Sequence, residues 1–186
     1  SSVDLDRRLW VPNTARAQRY LYSTQNVHGK KAVSTAAVFV PGGTAPKGGW
    51  PVIAWAHGTT GLGDDCSPST HTRNPRDSAY LAHWLQQGYA IVATDYVGLG
   101  TPGLMSYLNG PTEARSTVDS VKAAQHLDLS LGRTWAIVGQ SQGAGAALAG
   151  ARHATSLSAG SGLDYRGVVA TGPPANIELI IGLGGP

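Results

Sequence analysis

The chain has 186 residues, 41% of them apolar and only 13% charged, which is one domain's worth of sequence and excludes an intrinsically disordered chain. The formal net charge of +3 comes mainly from scattered Arg with no block of like charge, so no nucleic-acid surface is indicated. No run approaches the ~18 apolar residues that would mark a membrane span.

In chain order, Ala17 to Ser23 and Ala32 to Val40 alternate as two antiparallel strands, followed by a Gly-rich loop from Pro41 to Trp50. Val52 to Ala56 is a short apolar run of the buried-strand type. Ser78 to Gln87 has helical periodicity with Gly88 as its C-terminal cap. Ala90 to Thr94 is the next buried strand. Thr112 to Leu127 is a helix with Thr112 as N-cap and Arg115, Lys122 and Gln125 facing water. Thr134 to Val138 is a third apolar run, Ser141 to His153 a small-residue helix, and Gly167 to Ala170 one more strand. This alternation predicts an α/β protein with a mostly parallel sheet covered by helices on both faces, in a single domain without repeat or linker.

The sharpest motif is Gly139-Gln140-Ser141-Gln142-Gly143, a G-x-S-x-G pattern that follows a buried strand and opens an Ala/Gly-rich helix. In that context Ser141 occupies a sharp strand-to-helix turn that pushes its hydroxyl into the open. Gly139 and Gly143 leave room for the turn and for close helix–strand packing. The competing reading is an ordinary turn with a surface serine. The second motif is His57-Gly58-Thr59-Thr60-Gly61, directly after the Val52 to Ala56 strand. A backbone N–H from this loop, Thr59 first and Thr60 second, would join the N–H of Gln142 in an oxyanion hole. His57 reads as a brace of the loop together with Gly58, rather than as the base. The third is Asp95-Tyr96-Val97-Gly98-Leu99-Gly100-Thr101-Pro102-Gly103 at a strand's carboxyl end, where α/β sheets gather ligands. Asp95 reads as support for neighbouring N–H groups, with a triad acid as the alternative. Asp64-Asp65 beside Cys66 has no spaced partner set for a metal and reads as a solvated loop.

These three blocks, in this order and together with Trp55-Ala56 and Ala144-Gly145, resemble the secretory lipase family, the lipase-A-like branch of the α/β-hydrolases. The resemblance runs from roughly Trp10 to Pro174. It implies secreted enzymes that act on carboxylic esters, including acylglycerols, through a Ser-Asp-His triad without a cofactor or metal. It also implies a helical cap inserted after the sixth main strand, here near residues 174–186, and then two strands carrying the acid and the histidine.

Against that pattern, the one histidine after Ser141 is His153, twelve residues along the same helix and about 18 Å away at 1.5 Å per residue. The later acids, Asp164 and Glu178, do not sit at a strand's carboxyl end. A serine without a base is a poor nucleophile. The expectation is therefore the nucleophile-bearing half of an esterase or lipase, with the cap, catalytic Asp/Glu and His on a second polypeptide. A truncated or degenerate relative is the competing account. An acyltransferase on the same fold and a catalytically dead binding module are the alternative functions. The start at Ser1 and the composition favour a secreted, signal-processed form. Cys66, the single cysteine, is expected to pair with a cysteine outside the chain.

Overall fold

The computed structural model describes residues 1–177. Its elements run β1 (Ser2–Asp4), β2 (Thr14–Gln25), β3 (Lys31–Pro41), β4 (Trp50–Ala56), α1 (Pro75–Gln86), β5 (Ala90–Thr94), α2 (Gly110–Ala124), β6 (Leu131–Gln140), α3 (Gln142–Leu157) and β7 (Asp164–Thr171), with three short 3-10 turns at Arg7–Leu9, Asp64–Cys66 and Pro68–Thr70. One seven-stranded sheet has the order β1-β2-β3-β5-β4-β6-β7. The ladders from β1 through β5 are antiparallel, and those joining β5, β4, β6 and β7 are parallel. The parallel half is the expected βα repeat; the antiparallel half is the long β2–β3 hairpin with a short edge strand added.

Successive strand residues supply two cores. Ala36, Val38, Val52, Ala54, Trp135 and Ile137 pack on one face with Val118 and Val121 of α2 and Ala146 and Ala147 of α3. Ala37, Phe39, Ile53, Trp55, Ile91 and Val138 pack on the other with Leu81 and Leu85 of α1. Strands buried on both faces must be apolar at every position, which is why β4 and β5 read as unbroken apolar runs rather than alternations.

Several boundaries differ from the sequence reading. The N-cap of α2 is Asn109, not Thr112: the Thr112 N–H donates to Asn109 Oδ1 at 3.1 Å, so the helix starts at Gly110 with Pro111 in its first turn. The same helix stops at Ala124, where His126 and Leu127 continue only as a tight turn. Arg115, Lys122 and Gln125 are half-buried rather than fully solvated. Helix α1 starts at Pro75, capped by the Asn74 side chain on the Asp77 N–H. β7 forms the sheet's edge among the described residues, with Val169 45% exposed. Most of the expected start of the cap, and Glu178, lie outside the described residues.

The connections decide where a site can form. From β4 the chain crosses through α1 to β5 on one side. From β6 it crosses through α3 to β7 on the other side and the opposite face. The crevice outside the carboxyl ends of β4 and β6 is therefore the topological switch point, where open α/β sheets place their ligands.

Candidate active site

Both sides of that crevice are the motifs singled out in the sequence. β4 and β6 pair in parallel up to Ala56 opposite Gly139, so His57-Gly58 and Gln140-Ser141 leave the sheet side by side. Ser141 has φ 55° and ψ −119°, a strained left-handed-side conformation for a residue with a β-carbon. The turn is held by the Ser141 N–H donating to Thr171 O at 3.0 Å and by the Ala144 N–H donating to Ser141 O at 2.9 Å. A β-carbon on Gly143 would fall inside the carbonyl groups of Ala56 and His57, and one on Gly139 would strike the Gly143 carbonyl. No side chain fits at either position, because helix α3 starts in direct backbone contact with the end of β4.

The same closeness aligns the second loop. A β-carbon on Gly58 would stand 3.5 Å from Ser141 Cβ. Thr59 follows on the surface, its hydroxyl 3.0 Å from the Tyr107 hydroxyl. Among the described residues, the backbone N–H groups of Thr59, Thr60 and Gln142 meet no protein acceptor. Gln142 also occupies the first turn of α3, whose aligned peptide dipoles favour negative charge at that end.

His57 is buried. Its Nδ1 donates to Gly58 O at 2.6 Å, Nε2 faces Asp95 O at 3.4 Å, and the ring stacks on Tyr96 at 4.4 Å between centroids. Burial pushes the imidazole pKa down, so the ring is held neutral. Tyr96, itself at φ 67°, donates its hydroxyl to His57 O at 3.0 Å. Asp95 is fully buried at the end of β5. Its carboxylate accepts from the Ser69 N–H at 2.8 Å, from Thr35 Oγ1 at 2.6 Å and from the Ser69 hydroxyl. Beside it the Arg73 guanidinium stacks on Phe39 at 4.7 Å, and burial lowers its pKa to about 10. Both residues are tied into the framework beneath the loop.

The later polar residues stay apart from the crevice. His153 is on the fourth turn of α3. Asp164 begins β7, at the opposite end of the sheet from Ser141, and pairs there with Arg166. Cys66 is a half-buried free thiol whose sulfur packs against Gly61. No group of three or more His, Cys, Asp or Glu suited to a metal occurs among the described residues.

One buried neighbour of the Ser141 elbow was not singled out in the sequence. Glu113, from the first turn of α2, is buried against the start of α3 and accepts from Gln142 Nε2 at 2.7 Å. The available signal was positional: Glu113 falls on the helix face that carries Thr117, Val121 and Ala124, where a solvated acid has no place. Arg76 likewise escaped notice; it donates to Gln140 Oε1 at 2.9 Å, bracing the residue before Ser141.

A mixed sheet with helices on both faces, a strand–turn–helix elbow at the switch point and a Gly-bearing loop opposite it define the α/β-hydrolase class. The sequence profile of the secretory lipase family matches residues 68–182, more than half of the chain, and the protein belongs to that family. Among solved structures it is similar to a ligand-bound form of the rice cell wall degrading esterase LipA from Xanthomonas oryzae, at 25% identity and a TM-score of 0.70, covering 89% of this chain and 44% of that one. It is also similar in fold to the closed state of Candida antarctica lipase A, at 22% identity and a TM-score of 0.73, covering 94% of this chain and 41% of that one. The chain thus spans less than half the length of either. No curated protein sequence matches it.

Proposed function

We propose that the protein is a secreted serine hydrolase of carboxylic esters, an esterase or lipase, and that Ser141 is its nucleophile. The observation that carries this reading is the strained Ser141 turn at the switch point, with Gly58 of the facing loop beside it. Ser141 Oγ attacks the ester carbonyl and loses its proton to a histidine. The N–H groups of Gln142 and Thr59 receive the developing oxyanion, the alcohol leaves with that proton, and water then resolves the acyl-enzyme. His57, Gly58 and Asp95 hold the loop that carries Thr59; Gly139 and Gly143 allow the elbow.

The histidine and its carboxylate come from outside the described residues. In the two-chain reading they arrive with the cap on a second polypeptide, which would also cover the open edge of β7 and offers a partner for Cys66. The same groups on a longer form of this chain would serve equally, and an intact mass of native material under reducing and non-reducing conditions separates the two. The chemistry itself is tested by Ser141→Ala in a p-nitrophenyl ester assay. A loss on the order of 10⁶ in rate is expected. Activity within tenfold of the parent would remove Ser141 from the mechanism.

A further inference from the structure

Two acceptor atoms beside the proposed oxyanion donor have no partner. Glu113 Oε1 accepts from Gln142 Nε2 at 2.7 Å and from the Leu108 N–H at 3.1 Å. Neither Glu113 Oε2 nor Gln142 Oε1 meets a hydrogen-bond donor among the described residues. Both residues are almost completely buried, 2% and 1% exposed, where an unpaired polar atom is costly because it has lost its water without gaining a partner. The groups facing Glu113 are Gln142 from α3, the Leu108 N–H from the preceding loop and the Tyr96 phenol from the loop after β5. Among the described residues, no Lys, Arg or His pairs with it.

A carboxyl group and a primary amide side by side have one arrangement that uses all four polar atoms. The amide N–H donates to one carboxyl oxygen, and the carboxylic O–H donates back to the amide oxygen. A carboxylate cannot close the second arm, since both remaining atoms would then be acceptors. We propose that Glu113 is a positioning residue whose neutral carboxyl clasps Gln142 in this two-armed pair and so fixes the Gln142 N–H for the oxyanion. The inference rests on the reading of Gln142 as an oxyanion donor. Burial supports it by pushing Glu113 up to about 7, although the Gln142 and Leu108 bonds pull the other way. The side chain of Gln142 points away from the crevice into the core, so it tethers the first turn of α3 to α2 just where the dipole and the N–H must be aimed.

Two measurements on the native, complete protein test this. Infrared difference spectra between the parent and Glu113→Gln should contain a protonated-carboxyl C=O band below pH 7 that fades above it. Steady-state assays of Glu113→Ala should show kcat lowered about tenfold or more with KM little changed, because a misaimed donor acts on the transition state. Glu113→Gln, which keeps an amide in both arms, should recover most of that loss. A fall in the parent's kcat is expected as Glu113 ionises through about pH 7, and its absence in Glu113→Gln. Absence of the band, a loss confined to KM, or identical pH profiles in parent and Glu113→Gln would overturn the proposal. Should Glu113→Ala not fold, the band and the Glu113→Gln profile decide. If Ser141→Ala stays active, the underlying reading fails while the band persists. If Ser141→Ala is inert and the band is missing, this inference alone fails.

Discussion

Two buried acids flank the crevice, and their surroundings differ in kind. Asp95, at the end of β5, receives three donors spread over both carboxylate oxygens and has the Arg73 guanidinium nearby. Glu113, at the start of α2, receives two donors on one oxygen and, among the described residues, none on the other. The difference teaches which charge state each site accommodates. The Asp95 environment is built for an anion and ties β3, β5 and the Pro68–Thr70 turn together beneath the His57 loop. Among the described residues no cation pairs with Glu113, and its burial favours a proton, leaving a group that can donate as well as accept.

The sharpest way to break this comparison is to remove the charge that is fully satisfied. Asp95→Ala strands the Ser69 N–H and hydroxyl and the Thr35 hydroxyl, and removes the negative charge that the buried Arg73 guanidinium feels. A loss of roughly 3–5 kcal/mol in folding stability is expected. Urea titration of the variant checks it, and a loss near that of an exposed acid would mean that the cluster is not a unit. Next in size is Gly143→Ala. With the Ala56 and His57 carbonyls in the way, α3 must move off β4. Ester hydrolysis should fall by a hundredfold or more, about the range for loss of an oxyanion donor, even where circular dichroism reports a folded chain.

The smallest effect sharpens the contrast through pH. The native pKa of Glu113, about 7, lies above its ordinary value of 4.5, so between those values the native state binds more protons than the unfolded state. Stability contributed by this site is therefore present at low pH and lost as pH rises through about 7. Glu113→Gln removes that slope. Its stability relative to the parent should improve by up to a few kcal/mol from pH 5 to pH 8, read from denaturation midpoints. Parallel pH curves for parent and Glu113→Gln would place Glu113 among ordinary ionised acids.

The parts of the fold legible in the sequence were those whose pattern has a single physical cause. Ala90 to Thr94 was bounded correctly because burial on both faces demands an apolar run, and Gly88 and Asp95 interrupt it on either side. The Ser141 turn was legible because steric closeness forces glycines at both Gly139 and Gly143. β1 was missed since three residues, Ser2 to Asp4, carry no alternation and are ordered only by pairing with Gln18 to Tyr20. The start of α2 was misplaced because Asn109 and Thr112 are both good caps, and only the tertiary course of the loop selects Asn109. The Glu113–Gln142 contact joins residues 29 apart on two helices, so its existence depended on how α2 packs on α3. His57 was read as a brace because its strand lies beside the Ser141 elbow, and in the structure its ring is buried against Tyr96 with Nδ1 donating to Gly58 O.

The central claim, that the strained Ser141 is an activated nucleophile, is tested most directly by a fluorophosphonate probe on native material, followed by peptide mapping. The account predicts a single adduct on the peptide containing Gly139 to Gly143, at Ser141, formed in the parent and absent in Ser141→Ala. No adduct on a folded, native preparation, or an adduct at another serine, would contradict it.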